Sequence, residues 1–218
     1  MKKLLLSGLG LAFFASAGVA RANYIPLQQS SAPQQAKDTT PPSYDMKPQS
    51  LLDLDLVNKK ILQLAETIPQ DKYAWRPAPD ARSFAEVFLH VSGERYFILG
   101  LGGATPPAGF NGKDYEKSTT DKTKIIEELN KSWDYTKAQI NSMSNADFAK
   151  LLPKLGPEAN AGDVIYILVA DQHEHLGQLV SYARENGVTP PWTVEAQKKA
   201  AEKKAAEAKE SGTKEKSY

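Results

Sequence analysis

Four stretches of this chain place apolar side chains three and four residues apart, and each is closed by proline, glycine or a polar turn. That spacing marks the buried face of an amphipathic helix, and no segment alternates regularly enough to make a convincing strand. The first pattern runs from about Gln49 to Thr67, with Leu51, Leu54, Ile61, Leu62, Ala65 and Ile68 on its stripe and Pro69 at its end. Asn58 is the one polar interruption of that stripe. Beyond it, Tyr73-Ala74-Trp75-Arg76-Pro77-Ala78-Pro79 reads as an extended connector, because its prolines forbid helix.

The second pattern has the clearest start in the chain. Ser83 and Glu86 have the spacing of a capping box, and Phe84, Val87, Phe88, Val91 and Ile98 then form a stripe. Gly102, Gly103, Pro106, Pro107 and Gly109 end it and open a long loop to about Thr120, which could be a lid over a cleft or a simple crossover. A third helix is expected from about Asp121 to Ser142, with Ile125, Ile126, Leu129, Trp133, Thr136, Ile140 and Met143 on one side. After a turn or two between Ala146 and Leu152, a fourth begins near Gly162-Asp163 and stops at Asn186-Gly187, with Pro190-Pro191 behind it. Four such helices predict an all-α four-helix bundle, and the unequal connections predict a crossover between the second and third helices.

Segments at either end stand outside this pattern. Lys2 and Lys3 precede an apolar run from Leu4 to Val19 and the small residues of Ala20-Arg21-Ala22, so residues 1–22 read as a secretory signal peptide. That reading predicts an exported protein, periplasmic or extracellular, with no stable membrane anchor after cleavage. Residues 23–44 are rich in Gln, Ser and Pro and read as a disordered linker. Residues 45–192 then form the folded domain, and 193–218 a Lys/Ala/Glu tail with high helix propensity and no stripe to bury. With no cysteine, the chain has no disulfide, thiolate ligand or cysteine nucleophile. A net charge of +1 supplies no cationic excess for nucleic acid.

Chemistry converges on the histidines, of which there are three. In Asp171-Gln172-His173-Glu174-His175, residues 171 and 175 share a helical face about 6 Å apart along the axis, whereas His173 points almost oppositely. Asp171 and His175 fall on one arc with Val164, Leu168, Gln178, Leu179 and Tyr182. His90, on the second helix, could complete a metal site with them, and Glu94, four residues on, lies along the same edge. Glu94 is the candidate catalytic group, as a general base, although a charge network with Arg95 and His90 would equally account for it. Gln178 and Tyr182 could orient a ligand or simply line the core.

The succession Tyr73-Ala74-Trp75-Arg76-Pro77-Ala78-Pro79, then Ser83 to His90-Val91, then Glu174-His175-Leu176-Gly177-Gln178 through Pro191 resembles the DinB superfamily of four-helix bundles. The resemblance spans about residues 45–192 and implies a divalent ion held by three histidines, one on the second helix and an H-x-x-x-H pair on the fourth. By position His90 matches the first ligand and His175 the last, and Asp171 stands where the family has its middle histidine. Two imidazoles and a carboxylate can hold Zn, Ni, Mn or Fe. Alternatively, Asp171 marks a degenerate site. For activity, the resemblance implies transfer or isomerisation involving low-molecular-weight thiols, and hydrolysis is an open alternative. A non-catalytic ligand- or metal-binding envelope protein, and a purely structural bundle, are the other readings. The partners expected are a small-molecule ligand and, for assembly, a homodimer.

Overall fold

The computed structural model describes residues 45–215; the expected signal peptide, residues 1–22, and the expected linker, residues 23–44, lie outside the described residues. Among the described residues there are six α-helices: α1 Met46–Thr67, α2 Phe84–Leu101, α3 Lys122–Ser142, the short α4 Asn145–Phe148, α5 Ala161–Glu185 and α6 Pro191–Glu215. Among the described residues there is no strand, only an isolated bridge between Leu151 and Asn160. None of the described helices is long and apolar enough to cross a membrane.

Local chemistry accounts for the boundaries. Asp45 caps α1 by accepting the Lys47 N–H, which starts the helix three residues before the expected Gln49. Ser83 and Glu86 close a reciprocal capping box on α2, and Asn160 and Asp163 do the same for α5. Gly187, at φ 73°, takes the left-handed position after α5 that a side chain would strain. Pro190-Pro191 does stop α5, but Pro191 then serves as the first residue of α6, where its missing N–H costs nothing.

The long helices α1, α2, α3 and α5 form the bundle, with α1 and α2 each packed against both α3 and α5. Consecutive helices α1 and α2 therefore occupy opposite corners. Two apolar clusters fill the interior. One joins Ile61 and Leu64 to Phe84, Phe88, Ile125, Leu129, Leu179 and Tyr182; the other joins Leu54 to Ile98, Leu99, Trp133, Ile140, Val164 and Leu168. The start of α2 thus lies beside the start of α3 and the end of α5. Helices α2 and α3 run parallel, and α5 runs against both.

Parallel neighbours explain the long connection. From Leu101 the chain must return along the whole length of α2, about 27 Å for its 18 residues, before α3 can begin. Residues 102–121 make that return and include a 3-10 turn at Tyr115–Lys117. Phe110 and Tyr115 pack edge-to-face with each other and with Tyr96, pinning the crossover to α2. Gly93 permits this, since a Cβ there would meet the Tyr115 ring at 3.2 Å.

Between the two apolar clusters lies a polar layer to which each long helix contributes one buried side chain: Asn58, Arg95, Ser132 and Gln172. Arg95 is its centre. It donates Nε–H to Gln172 Oε1 at 2.9 Å, Nη1 to Ser132 Oγ and the Leu129 carbonyl, both at 3.0 Å, and Nη2 to Asn58 Oδ1 at 2.9 Å. Asn58, the polar interruption of the α1 stripe, is thereby explained.

Candidate metal centre

His90 sits on α2, while Asp171 and His175 sit one turn apart on α5. Because α2 and α5 face each other, one nitrogen or oxygen from each of the three residues lies within 4.8 Å of the others. The rings of His90 and His175 meet edge-to-face with centroids 4.5 Å apart. His175 is buried and the other two are half-buried. His173 points away from the group, exposed and paired with Asp53 at 2.9 Å.

Hydrogen bonding sets which nitrogen of His90 faces the centre. Glu116, on the crossover's 3-10 turn, accepts from His90 Nδ1 at 2.6 Å and from Arg82 Nε at 2.7 Å. Burial pushes the Glu116 carboxyl up, but Arg82 and His90 outweigh it and hold the group below its usual range, so it is an acceptor only. The His90 proton is therefore on Nδ1, leaving Nε2 for an ion. On α5, Gln178 donates Nε2–H to the Tyr182 hydroxyl at 3.0 Å and turns Oε1 toward His175 Nδ1, also at 3.0 Å. In this amide orientation His175 donates from Nδ1; in the reverse one, which the Tyr182 hydroxyl serves equally as a donor, His175 donates Nε2–H to Asp171.

His175 Nε2 faces Asp171 Oδ1 at 3.3 Å. A proton or a metal ion can join two such atoms. Burial lowers the His175 pKa, but bonding to Asp171 and Gln178 outweighs burial and raises it, so the proton is held well. A metal ion is the other candidate. Ligand atoms bonded at about 2.0–2.1 Å in a tetrahedral shell lie about 3.3 Å apart, so this edge already fits. The residues fit a divalent ion.

Glu94 lies beside this group, with Oε1 3.7 Å from His90 Nδ1. Burial first, then the charges of Asp171 and Glu116, raise its pKa. It also lines a cavity of about 260 Å³ with His90, Phe97, Phe110, Tyr115 and Glu116. The expected neighbour of Glu94 in a charge network, Arg95, instead points into the core with 2% of its surface exposed.

The sequence model of the DinB superfamily matches residues 53–179, more than half of the chain and the whole span that carries His90, Asp171 and His175. The chain belongs to the DinB superfamily. Among solved structures, a DinB-like protein from Bacillus cereus ATCC 10987 superposes with a TM-score of 0.58 at 16% identity, covering 66% of this chain and 95% of its own. A conserved protein from Enterococcus faecalis superposes at 0.55 and 16% identity, covering 65% of this chain and 97% of its own. Both are likenesses of fold. No curated protein matches the chain.

Sequence reasoning missed Glu116, Gln172 and Arg95. Glu116 lies in a loop without periodicity, and nothing in the sequence points from it to His90. Gln172 follows Asp171 directly and Arg95 follows Glu94, so both could have been placed near the site. Only the packing shows that they turn inward.

Proposed function

We propose that this DinB-superfamily protein binds a divalent ion through His90 Nε2, Asp171 Oδ1 and His175 Nε2 and uses it on a small molecule held in the adjoining cavity. The observation that carries this reading is the convergence of His90, Asp171 and His175, with one ligand atom of each within 4.8 Å of the others and His175 Nε2 3.3 Å from Asp171 Oδ1. When bound, such an ion supplies Lewis acidity and lowers the pKa of a coordinated nucleophile. Zn, Ni, Mn and Fe all suit two imidazoles and a carboxylate.

The remaining chemistry belongs to side chains. Glu94, with its raised pKa and its place on the cavity wall, is the group to take a proton from an attacking nucleophile. Phe97, Phe110 and Tyr115 hold an apolar part of the substrate. Glu94 and Glu116 give the cavity wall two carboxylates, and none of its lining residues is Lys or Arg, which works against an acidic substrate. The reaction we propose is transfer or hydrolysis, and the signal-like sequence of residues 1–22 supports a site of action outside the cytoplasm.

Measuring bound metal and turnover together tests this. Glu94→Gln should retain the ion at the wild-type level and lose about 10²-fold or more in activity on any substrate found. His175→Ala should lose both. Full activity in Glu94→Gln would remove the base, and wild-type metal content in His175→Ala would remove the site.

A further inference from the structure

The family resemblance places a histidine where this chain has Asp171, and a carboxylate there is both shorter and free to turn. What holds it is the polar layer of the bundle. Arg95 carries only N–H donors, so the Gln172 atom that meets its Nε at 2.9 Å must be the carbonyl oxygen, Oε1. The other end of the amide is then fixed as Nε2. It donates to Asp171 Oδ2 at 3.0 Å, with a longer contact of 3.5 Å to the Val91 carbonyl. Gln172 is 1% exposed, so water cannot take over either role.

We propose that Gln172, locked in orientation by Arg95, is the positioning residue that makes Asp171 a one-oxygen metal ligand. The amide occupies Oδ2 and so presents Oδ1 alone to the centre, 3.3 Å from His175 Nε2. Without it, the carboxylate can rotate, offer both oxygens, or turn to solvent. The link also carries charge. All four acceptors on Arg95 are neutral, and one amide joins its guanidinium to a carboxylate. Arg95 reaches Asp171 through Gln172 and touches no atom of the proposed ligand set. Outer partners that orient ligands in this way are worth about 10–100-fold in metal affinity.

This inference rests on the metal reading above, and a double-mutant cycle separates the two. Zinc affinity is measured by chelator competition on the full chain for wild type, Gln172→Met, Asp171→His and the double variant, with thermal melts alongside. Gln172→Met should weaken zinc about 10–100-fold when residue 171 is aspartate and have little effect when it is histidine, because an imidazole needs no donor on a second oxygen. An equal loss in both backgrounds, or no loss in either, overturns the positioning role. Failure of the wild type to bind zinc overturns the metal reading itself and this inference with it. Should Gln172→Met or Asp171→His fail to fold, Gln172→Glu replaces the cycle. It keeps an acceptor for Arg95 and turns a carboxylate oxygen, in place of the N–H, toward Asp171, so the visible bands of the cobalt-loaded protein should move while the fold persists. Unchanged bands in a folded Gln172→Glu overturn the proposal.

Discussion

His90 is fixed by a residue far from it in sequence. Glu116 accepts its Nδ1–H, and Arg82 in turn grips both carboxylate oxygens of Glu116 at 2.7 and 3.2 Å. The Arg82–Glu116 pair is partly exposed, so little of its value lies in stability. Its value is orientation. Glu116→Ala should leave helix content unchanged and weaken zinc binding about 10–100-fold, whereas Glu116→Gln, which keeps an acceptor, should recover part of that loss. Equal zinc affinity in wild type and Glu116→Ala would show that His90 needs no outer partner. The helical wheel made Asp171 and His175 legible because four residues return almost to the same face, and it rejected His173 on the same ground. Glu116 was illegible for a physical reason: its position depends on how the crossover packs, and that is decided by Phe110, Tyr115, Tyr96 and the absence of a side chain at Gly93.

Among the elements, α2 starts on a capping box tied to a neighbouring charge. Glu86 accepts the Ser83 N–H at 2.7 Å and pairs with Arg76 at 3.1 Å. Burial alone would raise its pKa, but the Ser83 N–H and the Arg76 charge outweigh burial and hold it below its ordinary 4.5. The ionised form is therefore the one the fold favours. Its contribution is fully present above pH 4.5 and is lost as pH falls through the lower folded value. Glu86→Ala should cost about 1 kcal/mol at neutral pH, and that difference should shrink as both proteins are titrated toward about pH 3. A difference independent of pH in chemical denaturation would assign the loss to packing. Ser83 and Glu86 were visible in the sequence because a cap is local. The parallel course of α2 and α3 was only partly visible: loop length announced a crossover, but the direction of α3 comes from which apolar cluster its first turns join. Helix α6 forms as its composition predicts, with i,i+4 pairs such as Lys199–Glu195 at 2.6 Å, and Trp192 at its start packs against the core.

Across the whole molecule, two apolar clusters enclose one polar layer, and that layer leads to the proposed metal centre. A buried guanidinium is costly unless every donor it offers is met, and Arg95 is met by groups from all the other three long helices. Burial still pushes its pKa down, to about 9, which leaves it charged at neutral pH. Such an arrangement tolerates one alignment of the helices, since a shift of one turn strands the charge. The same alignment brings α2 and α5 into the register that sets His90 against His175. Asn58 showed in the sequence as a break in a stripe, yet a single polar residue does not reveal its partner; four helices had to be assembled before the layer could be seen. Diffraction from crystals of the zinc-loaded protein at the zinc absorption edge shows whether a metal ion joins His90, Asp171 and His175. An anomalous peak about 2.0–2.2 Å from His90 Nε2, Asp171 Oδ1 and His175 Nε2 is the expected result. A map without that peak, with His175 hydrogen-bonded to Asp171 in the zinc-soaked crystal, would contradict it.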